Sequence, residues 1–553
     1  MPEPRWWGWG SQDTTYDLES HPHFLPFLNA ALGLSGDERG SVVPLDAIAL
    51  PPVRLPATAL DALAATLGPG AVSTGHSDRL THAFGKSYRD IVRLRAGQVD
   101  RAPDAVAFPP DEEAVAAVIR LTAEHGFSVV PFGGGTSVTG GLEALGDRPT
   151  VSLDLRRLDR VLAVDPISRT ATVQAGILGP TLESALNAAG FTLGHFPQSW
   201  EFSSLGGWIA TRSAGQNSTG YGKIEHMVVS LPVATPTGLI ETRAVPASAA
   251  GPSLREMLVG SEGIFGVITR ATLRVHPLPA RRDYRGVAFR TFQEGIAALR
   301  EIIQSGLRPV TLRLSDPPET QASLVLQRSH GGPGALFQDI GKAALARLGY
   351  DLRVGAPGEP YDRRPCLMIL GCEGEESEAR RTSGECLSIC GRHGGFGLGA
   401  GVGRQWLDER FALPYLRDVL LDRGVMTDTL ETATLWANIE DLHARVTAAL
   451  REAGAGFVMC HVSHVYATGA SLYFSFLARQ EPGAEIAQWL RMKRAATDCI
   501  MAHGGTLSHH HGVGYEHAPW LPSEITAPGL AVVRSAKAAL DPADIMNPGK
   551  LLP

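Results

Sequence analysis

The sequence predicts a multidomain protein of the α/β or α+β class, and three observations carry that expectation. Short β-branched runs alternate with amphipathic helical stretches from about residue 105 onward. The chain has 553 residues, 44% of them hydrophobic, enough for about three or four domains with buried cores. Its 62 glycines and 38 prolines follow no period, which fits a turn-rich enzyme and excludes collagen or a low-complexity chain.

Residues 1–98 read as an irregular segment rich in Pro, Trp and charge, with short helical pieces such as ALDALAATLG. A boundary falls near RAPDAVAFPPDEE, where prolines precede a helical stretch over 111–124. FSVVPF, VSLDL and TATVQAG follow as strands, and LGPTLESALNAAG as an amphipathic helix. Alternating apolar residues in LVGSEGIFGVITRATLRVHPLP close this region, set at 99–282. A second α/β region, 283–503, holds the strand-like PCLMILGCEG and SLYFSFLAR and helices near 374–393 and 437–453. The last segment, 504–553, carries a histidine run, the helix AVVRSAKAALD and the ending DPADIMNPGKLLP. It is expected to return to the active site. No repeat at a solenoid period is visible.

Lys and Arg number 50 against 57 Asp and Glu, a formal net charge of −7, so a nucleic-acid partner is excluded. No apolar run approaches the ~18 residues of a membrane span. The opening MPEPRWWGWG lacks the order of a secretory signal, and the last three residues are not a peroxisomal address. The expectation is a soluble cytoplasmic protein, with peripheral membrane contact and a homodimer as further expectations. The 6 cysteines of so long a chain read as reduced thiols. Cys386 and Cys390 share a helix face near His393, open to either buried thiols or a metal pair lacking a fourth ligand.

Three glycine-rich segments stand out. PFGGGTSVTGG (131–141) follows the run FSVV, and three consecutive glycines let the backbone approach an anion with its N–H groups. Alone it reads equally as an ordinary turn. It is not G-x-G-x-x-G, because no clear helix or later acidic residue follows, so a nicotinamide site is disfavoured. The second segment covers 195–229 and the third 258–269. Three such loops between normal α/β stretches suggest walls around an extended ligand. GFGLGA (395–400) follows a helix rather than a strand, which argues against a nucleotide site there.

PFGGGTSV, PQSWEFSSLGGWIATRSAG and GSEGIFGVI resemble the flavin-binding segments of the vanillyl-alcohol-oxidase class of FAD enzymes. The resemblance implies a two-subdomain FAD-binding domain of the PCMH type under a mixed α/β cap, with an N-terminal helical segment. In that class the first loop holds the pyrophosphate. Here Pro131, Gly133, Gly134, Gly135, Thr136, Ser137 and Val138 match it. The other two segments line the isoalloxazine and adenine. They match through Pro197, Gln198, Ser199, Phe202, Ser203, Gly206, Gly207, Thr211 and Ser213, and through Gly260, Ser261, Glu262, Gly263, Gly266 and Ile268. The first loop has no histidine or cysteine for a tether, so the expected FAD is noncovalent.

Seven of the 18 histidines lie between His461 and His517, and His509, His510 and His511 are consecutive. In an extended segment His509 and His511 would face one side and His510 the other. The run is open to acid/base or anion-binding work, to a Zn or Fe site, or to a structural role. No H-E-x-x-H motif supports the metal, and none is expected.

SHHHGVG, with RWWGWG, TLRLSD, YLRD and ASLYFSF, resembles the alkylglycerone-phosphate synthase family over nearly the whole chain. That implies a redox-neutral exchange in ether-lipid synthesis: a fatty alcohol replaces the acyl group of acyl-dihydroxyacetone phosphate. The flavin then holds the dihydroxyacetone phosphate skeleton as an adduct. The implied partners are acyl-dihydroxyacetone phosphate and a long-chain fatty alcohol. Tyr473 matches the family's acid/base tyrosine, which the histidines are expected to help ionise. Arg417 matches the phosphate-binding arginine, Arg313 a second activity-linked arginine, and His195 a flavin-side histidine. By residue type alone Tyr473 is equally a strand aromatic and Arg417 a surface helix arginine. YEHAPWL (515–521) departs from the basic continuation of animal members. NPGKLLP resembles the ending of flavin 2-hydroxy-acid dehydrogenases, so an FAD-dependent dehydrogenase or oxidase of a 2-hydroxy acid or alcohol is the main rival. A flavin-binding protein without turnover is the third.

Overall fold

The structure is a computed structural model, and it describes residues 4–326 and 364–552. Its N-terminal segment begins with a tight turn in which the Arg5 N–H faces the Gly10 carbonyl oxygen at 2.7 Å. The helix Phe24–Leu32 follows, ended by Gly33 in the left-handed conformation that glycine adopts without a Cβ penalty. ALDALAATLG lies in the helix Ala57–Leu67, as its apolar spacing requires.

Among the described residues the flavin-loop region contains four sheets over one apolar core, the smallest the two-stranded pair of Phe191–Thr192 and His276–Pro277. Ala105–Ala107, Thr150–Asp154 and Ser128–Phe132 are adjacent parallel strands, and Val72–Ser73 is the edge. The crossover is the helix Glu112–His125, started by the Asp111 carboxylate on the Ala114 N–H and stopped by left-handed Gly126. Because that helix covers the sheet, the short central strands are buried almost throughout. An antiparallel sheet of Val161–Asp165, Thr170–Gln174, Arg270–Arg274 and Val228–Ser230 forms the second subdomain, with Gly238–Glu241, Pro232–Thr235 and Val267–Ile268 beside it. The expected strands FSVVPF, VSLDL and TATVQAG and the helix at 179–188 are all present.

The cap is a 7-stranded antiparallel sheet. In spatial order its strands are Phe396–Gly399, Arg281–Phe289, Cys366–Gly374, Thr311–Ser315, Phe457–Ser463, Gly469–Arg479 and Val425–Leu435. Strand alternation divides its faces. Leu314, Leu430, Cys460, Val462, Phe474 and Phe476 pack into a core shared with the helices Phe292–Gln304, Glu376–Arg392, Ile439–Glu452 and Glu485–Ala502. Arg313, Thr429, His461, Tyr473 and Ser475 face the other way and line a cavity.

GFGLGA is the edge strand of this sheet, Phe396–Gly399, running into the helix Ala400–Glu409. Its glycines pair with a neighbouring strand at Gly286 and Val287, a structural use for a glycine-rich stretch. Cys386 and Cys390 are buried on the helix Glu376–Arg392. His393 instead pairs with Glu301 at 2.6 Å, so these three do not converge on a metal. Among the described residues no helix is long and apolar enough to cross a membrane.

The C-terminal helix Leu521–Leu540 is interrupted at Thr526 and Pro528. Beyond it the chain doubles back. The Asp541 carboxylate accepts from the Ile545 and Met546 N–H groups, and Met546 pairs with Val129 beside the first glycine loop.

Candidate active site

One cavity of about 630 Å³ lies between the flavin-loop region and the cap. All seven residues matched in the first loop line it. So do Pro197, Gln198, Ser199, Ser203, Gly206, Gly207, Thr211 and Ser213 of the second segment and Glu262, Gly263, Gly266 and Ile268 of the third. Phe202, Gly260 and Ser261 do not; they sit behind the wall. Close neighbours explain the triple glycine: a Cβ on Gly134 would lie 1.7 Å from the Phe202 carbonyl oxygen and one on Gly133 2.1 Å from Ser204 Oγ, while Gly135 is left-handed at φ +69°. The loops close on each other as well as on a ligand. A wall of backbone, hydroxyls and glycines from three segments fits a noncovalent flavin dinucleotide. Bound there, FAD supplies the electrophilic and redox chemistry of its isoalloxazine ring. Asn547 completes the wall, donating to the Gly141 and Glu262 carbonyl oxygens.

Tyr473 is central to the cap side. On adjacent strands Glu431 and His461 lie directly opposite it, so all three project from one face. The His461 ring stacks on the phenol with centroids 4.9 Å apart. Burial, reinforced by Asp428, Glu431 and Glu319, pushes the phenol up to about 12. His461 Nδ1 lies 2.9 Å from Glu319 and 3.1 Å from an Arg313 nitrogen, and Arg313 also donates to Glu319 at 2.8 Å. Burial alone would raise the Glu319 carboxyl, but Arg313 and His461 hold it down at about 2. Arg313 is thus an anchored cation whose partners orient the ring under Tyr473.

The histidine run departs from expectation twice. Residues 508–511 are not extended. His510 and His511 face the cavity, with centroids 6.0 and 5.6 Å from Tyr473. His509 turns away to Tyr466, whose hydroxyl is 2.7 Å from its Nε2. The chain bends here because the Glu431 carboxylate gathers the loop from one side. The second correction concerns charge. Burial pushes His509 down to about 3 and His510 and His511 below their ordinary value. These rings are neutral near pH 7, so they do not ionise Tyr473 by positive charge, and the phenol keeps its proton. Nitrogens of His464, His509 and His510, and of His510 and His511 with a Glu431 oxygen, form two groups with atoms within 4.8 Å of one another. These are the residues of the metal alternative.

Arg417 lies on the helix Leu413–Leu421 and lines the cavity, so it is half-buried with its guanidinium turned inward, contrary to the surface alternative. One guanidinium nitrogen donates to the Lys86 carbonyl oxygen at 2.6 Å; Nε and the other nitrogen have no partner among the described residues. Unpartnered buried donors on a cation are costly unless an anion meets them. His195 is buried behind the cavity wall, its Nε2 3.3 Å from the hydroxyl of wall residue Ser213, and burial pushes it down to about 3.

Part of the cavity wall is apolar, formed by Phe24, Leu28, Ala322, Leu416, Leu420 and Phe457. The N-terminal turn reaches in as well. Trp9 lines the cavity, its backbone N–H donates to Asp418 at 2.7 Å, and Arg5 pairs with the same carboxylate at 3.0 Å. Sequence reasoning assigned no role to Glu431, Glu319, His461 or His464. For the last two the signal was present in the histidine density; for Glu431 it was strand parity against Tyr473, whereas Glu319 lies on the helix Pro317–Val325 and carried no such signal.

The FAD binding domain family model matches residues 103–243, and that of the FAD linked oxidases, C-terminal domain, matches 278–551. The alkyldihydroxyacetonephosphate synthase of Dictyostelium discoideum is 40% identical over 484 residues, 86% of this chain and 77% of that one. The synthase of Trypanosoma brucei brucei is 34% identical over 578 residues, 100% and 92% of the two chains. A solved structure of an alkyldihydroxyacetonephosphate synthase superposes with TM-score 0.83 at 32% identity, covering 99% of this chain and 98% of that one. Substrate-bound p-cresol methylhydroxylase shares the fold at TM-score 0.68 and 16% identity, over 91% and 98%. With such relatives matched along nearly their whole length, and flavin loops and cap enclosing one cavity, the chain belongs to the FAD-dependent alkyldihydroxyacetonephosphate synthase family.

Proposed function

We propose that this protein exchanges the acyl group of acyl-dihydroxyacetone phosphate for a long-chain fatty alcohol, forming an ether. The observation that carries the reading is the set of chemistries lining one cavity: flavin loops, Tyr473 with His510 and His511, the N–H groups of Arg417 left without a partner among the described residues, and an apolar end. A substrate with a reactive ketone, a phosphate and a long chain uses each of them.

Arg417 takes the phosphate, where a planar fork with two free donors suits its oxygens. Tyr473, protonated at neutral pH, is placed to give a proton to a departing oxygen and to recover one from the carbon beside the ketone. The neutral imidazoles of His510 and His511 are acceptors for the proton of the incoming alcohol. The apolar end excludes water, which would otherwise compete with that alcohol. Lipid substrates also bring the protein to a membrane surface from the cytoplasm, which vesicle flotation tests.

The test is anaerobic turnover of acyl-dihydroxyacetone phosphate with hexadecanol labelled at oxygen. Label in the ether, with the flavin oxidised at the end of each cycle, is the expected result. Stable bleaching of the flavin by D-lactate or glycolate, with no ether formed, overturns it in favour of a dehydrogenase.

A further inference from the structure

Four hydrogen bonds converge on one buried carboxylate beneath the histidine run. Glu431 accepts from Ser508 Oγ at 2.7 Å and from the backbone N–H groups of His509, His510 and His511 at 2.6, 3.1 and 2.9 Å. Three consecutive N–H groups turned to one side belong to neither a strand nor a helix, and such a concavity selects an anion. Burial would raise this carboxyl, but the groups that converge on it outweigh burial and hold it well below the carboxylate range. The ring edges turn the same way, with His510 Nδ1 3.5 Å and His511 Nδ1 3.7 Å from its oxygens.

The strand register gives this anchor its meaning. Glu431 is directly opposite Tyr473, so the acid that gathers the histidine loop and the phenol share one rigid row of the cap sheet. We propose that Glu431 is a positioning residue that fixes His510 and His511 against Tyr473 by holding the backbone of residues 508–511. The inference rests on the reading above only in taking those two rings to face the reacting substrate. Glutamine substitutes poorly: its one oxygen can take the place of Oε1, which accepts from Ser508 and the His510 and His511 N–H groups, but its amide nitrogen then turns donors toward the His509 N–H. The loop must then move to satisfy its N–H groups, and displacements of ~1 Å at such a site cost about 100-fold in rate.

The experiment compares Glu431→Gln, Glu431→Asp and Ser508→Ala with wild type, all flavin-loaded, by steady-state kinetics and by hydrogen exchange of amides 509–511. Expected for Glu431→Gln is a kcat lower by about 100-fold, KM within a few-fold, and faster exchange at those amides. Glu431→Asp, which keeps the acceptors on a shorter arm, recovers part of both. Ser508→Ala, losing one of the four bonds to Glu431 together with the Ser508 Oγ bonds from the His511 and Gly512 N–H groups, lowers kcat less than Glu431→Gln does. Wild-type kcat and amide protection in Glu431→Gln overturns the inference. If that variant fails to fold, wild-type values in Glu431→Asp overturn it instead. Zinc or iron at one per chain in wild type, lost in either variant, also overturns it by making Glu431 a ligand. Amide exchange needs no substrate, so a wild-type enzyme that makes no ether defeats the proposed reaction while leaving this inference to its own readout.

Discussion

Tyr473 and His461 face each other across two antiparallel strands, their rings stacked at 4.9 Å with 14° between the planes. The imidazole is itself fixed by Glu319 and Arg313. The phenol therefore has one supported face, and its hydroxyl is the variable part of the group.

Tyr473→Phe should keep that stacking and its flavin while losing about 10²–10⁴ in turnover, the usual worth of a positioned acid/base group. Flavin absorbance per chain and steady-state rates check both halves. A flavin-loaded variant with near-wild-type activity would make Tyr473 a packing residue.

Arg417→Ala should raise the KM for acyl-dihydroxyacetone phosphate about 10- to 100-fold, as loss of hydrogen bonds to a charged group does. Arg417→Lys should recover only part, because an ammonium lacks the guanidinium fork. The KM for the alcohol should stay near wild type in both variants.

Gly134→Ala should destabilise the protein by about 1–3 kcal/mol, the range for overpacking, and weaken flavin retention, since its Cβ would meet the Phe202 carbonyl oxygen. Gly384→Ala is the control. It lies within the helix Glu376–Arg392 with no atom of the described residues near its Cβ position, and should be neutral or stabilising by up to ~1 kcal/mol. Denaturant unfolding and flavin release by dialysis measure the pair.

His195 gives a pH signature. Its ordinary value of 6.5 falls to about 3 in the fold, first through burial and then through Lys223. As pH drops below about 6.5 the unfolded chain takes up a proton that the folded chain refuses, so folding stability is lost down to about pH 3. Relative to His195→Gln, wild type should lose about 1.4 kcal/mol per pH unit within that window. Urea unfolding of both at pH 7 and pH 5 decides; parallel changes would show that His195 carries no linked proton.

The sequence was most legible where local chemistry sufficed. The strand 128–132 and the helix 112–125 are written in β-branched runs, an Asp cap and a Gly stop. The glycine loops were found, but half of their reason was not: Gly134 is small because Phe202 passes beside it, a contact between distant segments. The histidine run was visible, but not its shape. Alternation at His509, His510 and His511 holds only for an extended chain, and Glu431, 77 residues or more away in sequence, bends it. Charge was misjudged for the same reason, because burial depends on the whole fold.

The C-terminal return has a consequence for biogenesis. Asn547 and Met546 join the first glycine loop, and Lys550 reaches the Glu143 carbonyl oxygen at 2.5 Å. During translation the loop at 131–138 leaves the ribosome well before the residues that brace it, 546–550. The cofactor cradle therefore lacks these braces until that stretch has emerged, and a chain cut short before Asn547 lacks its bonds to the Gly141 and Glu262 carbonyl oxygens.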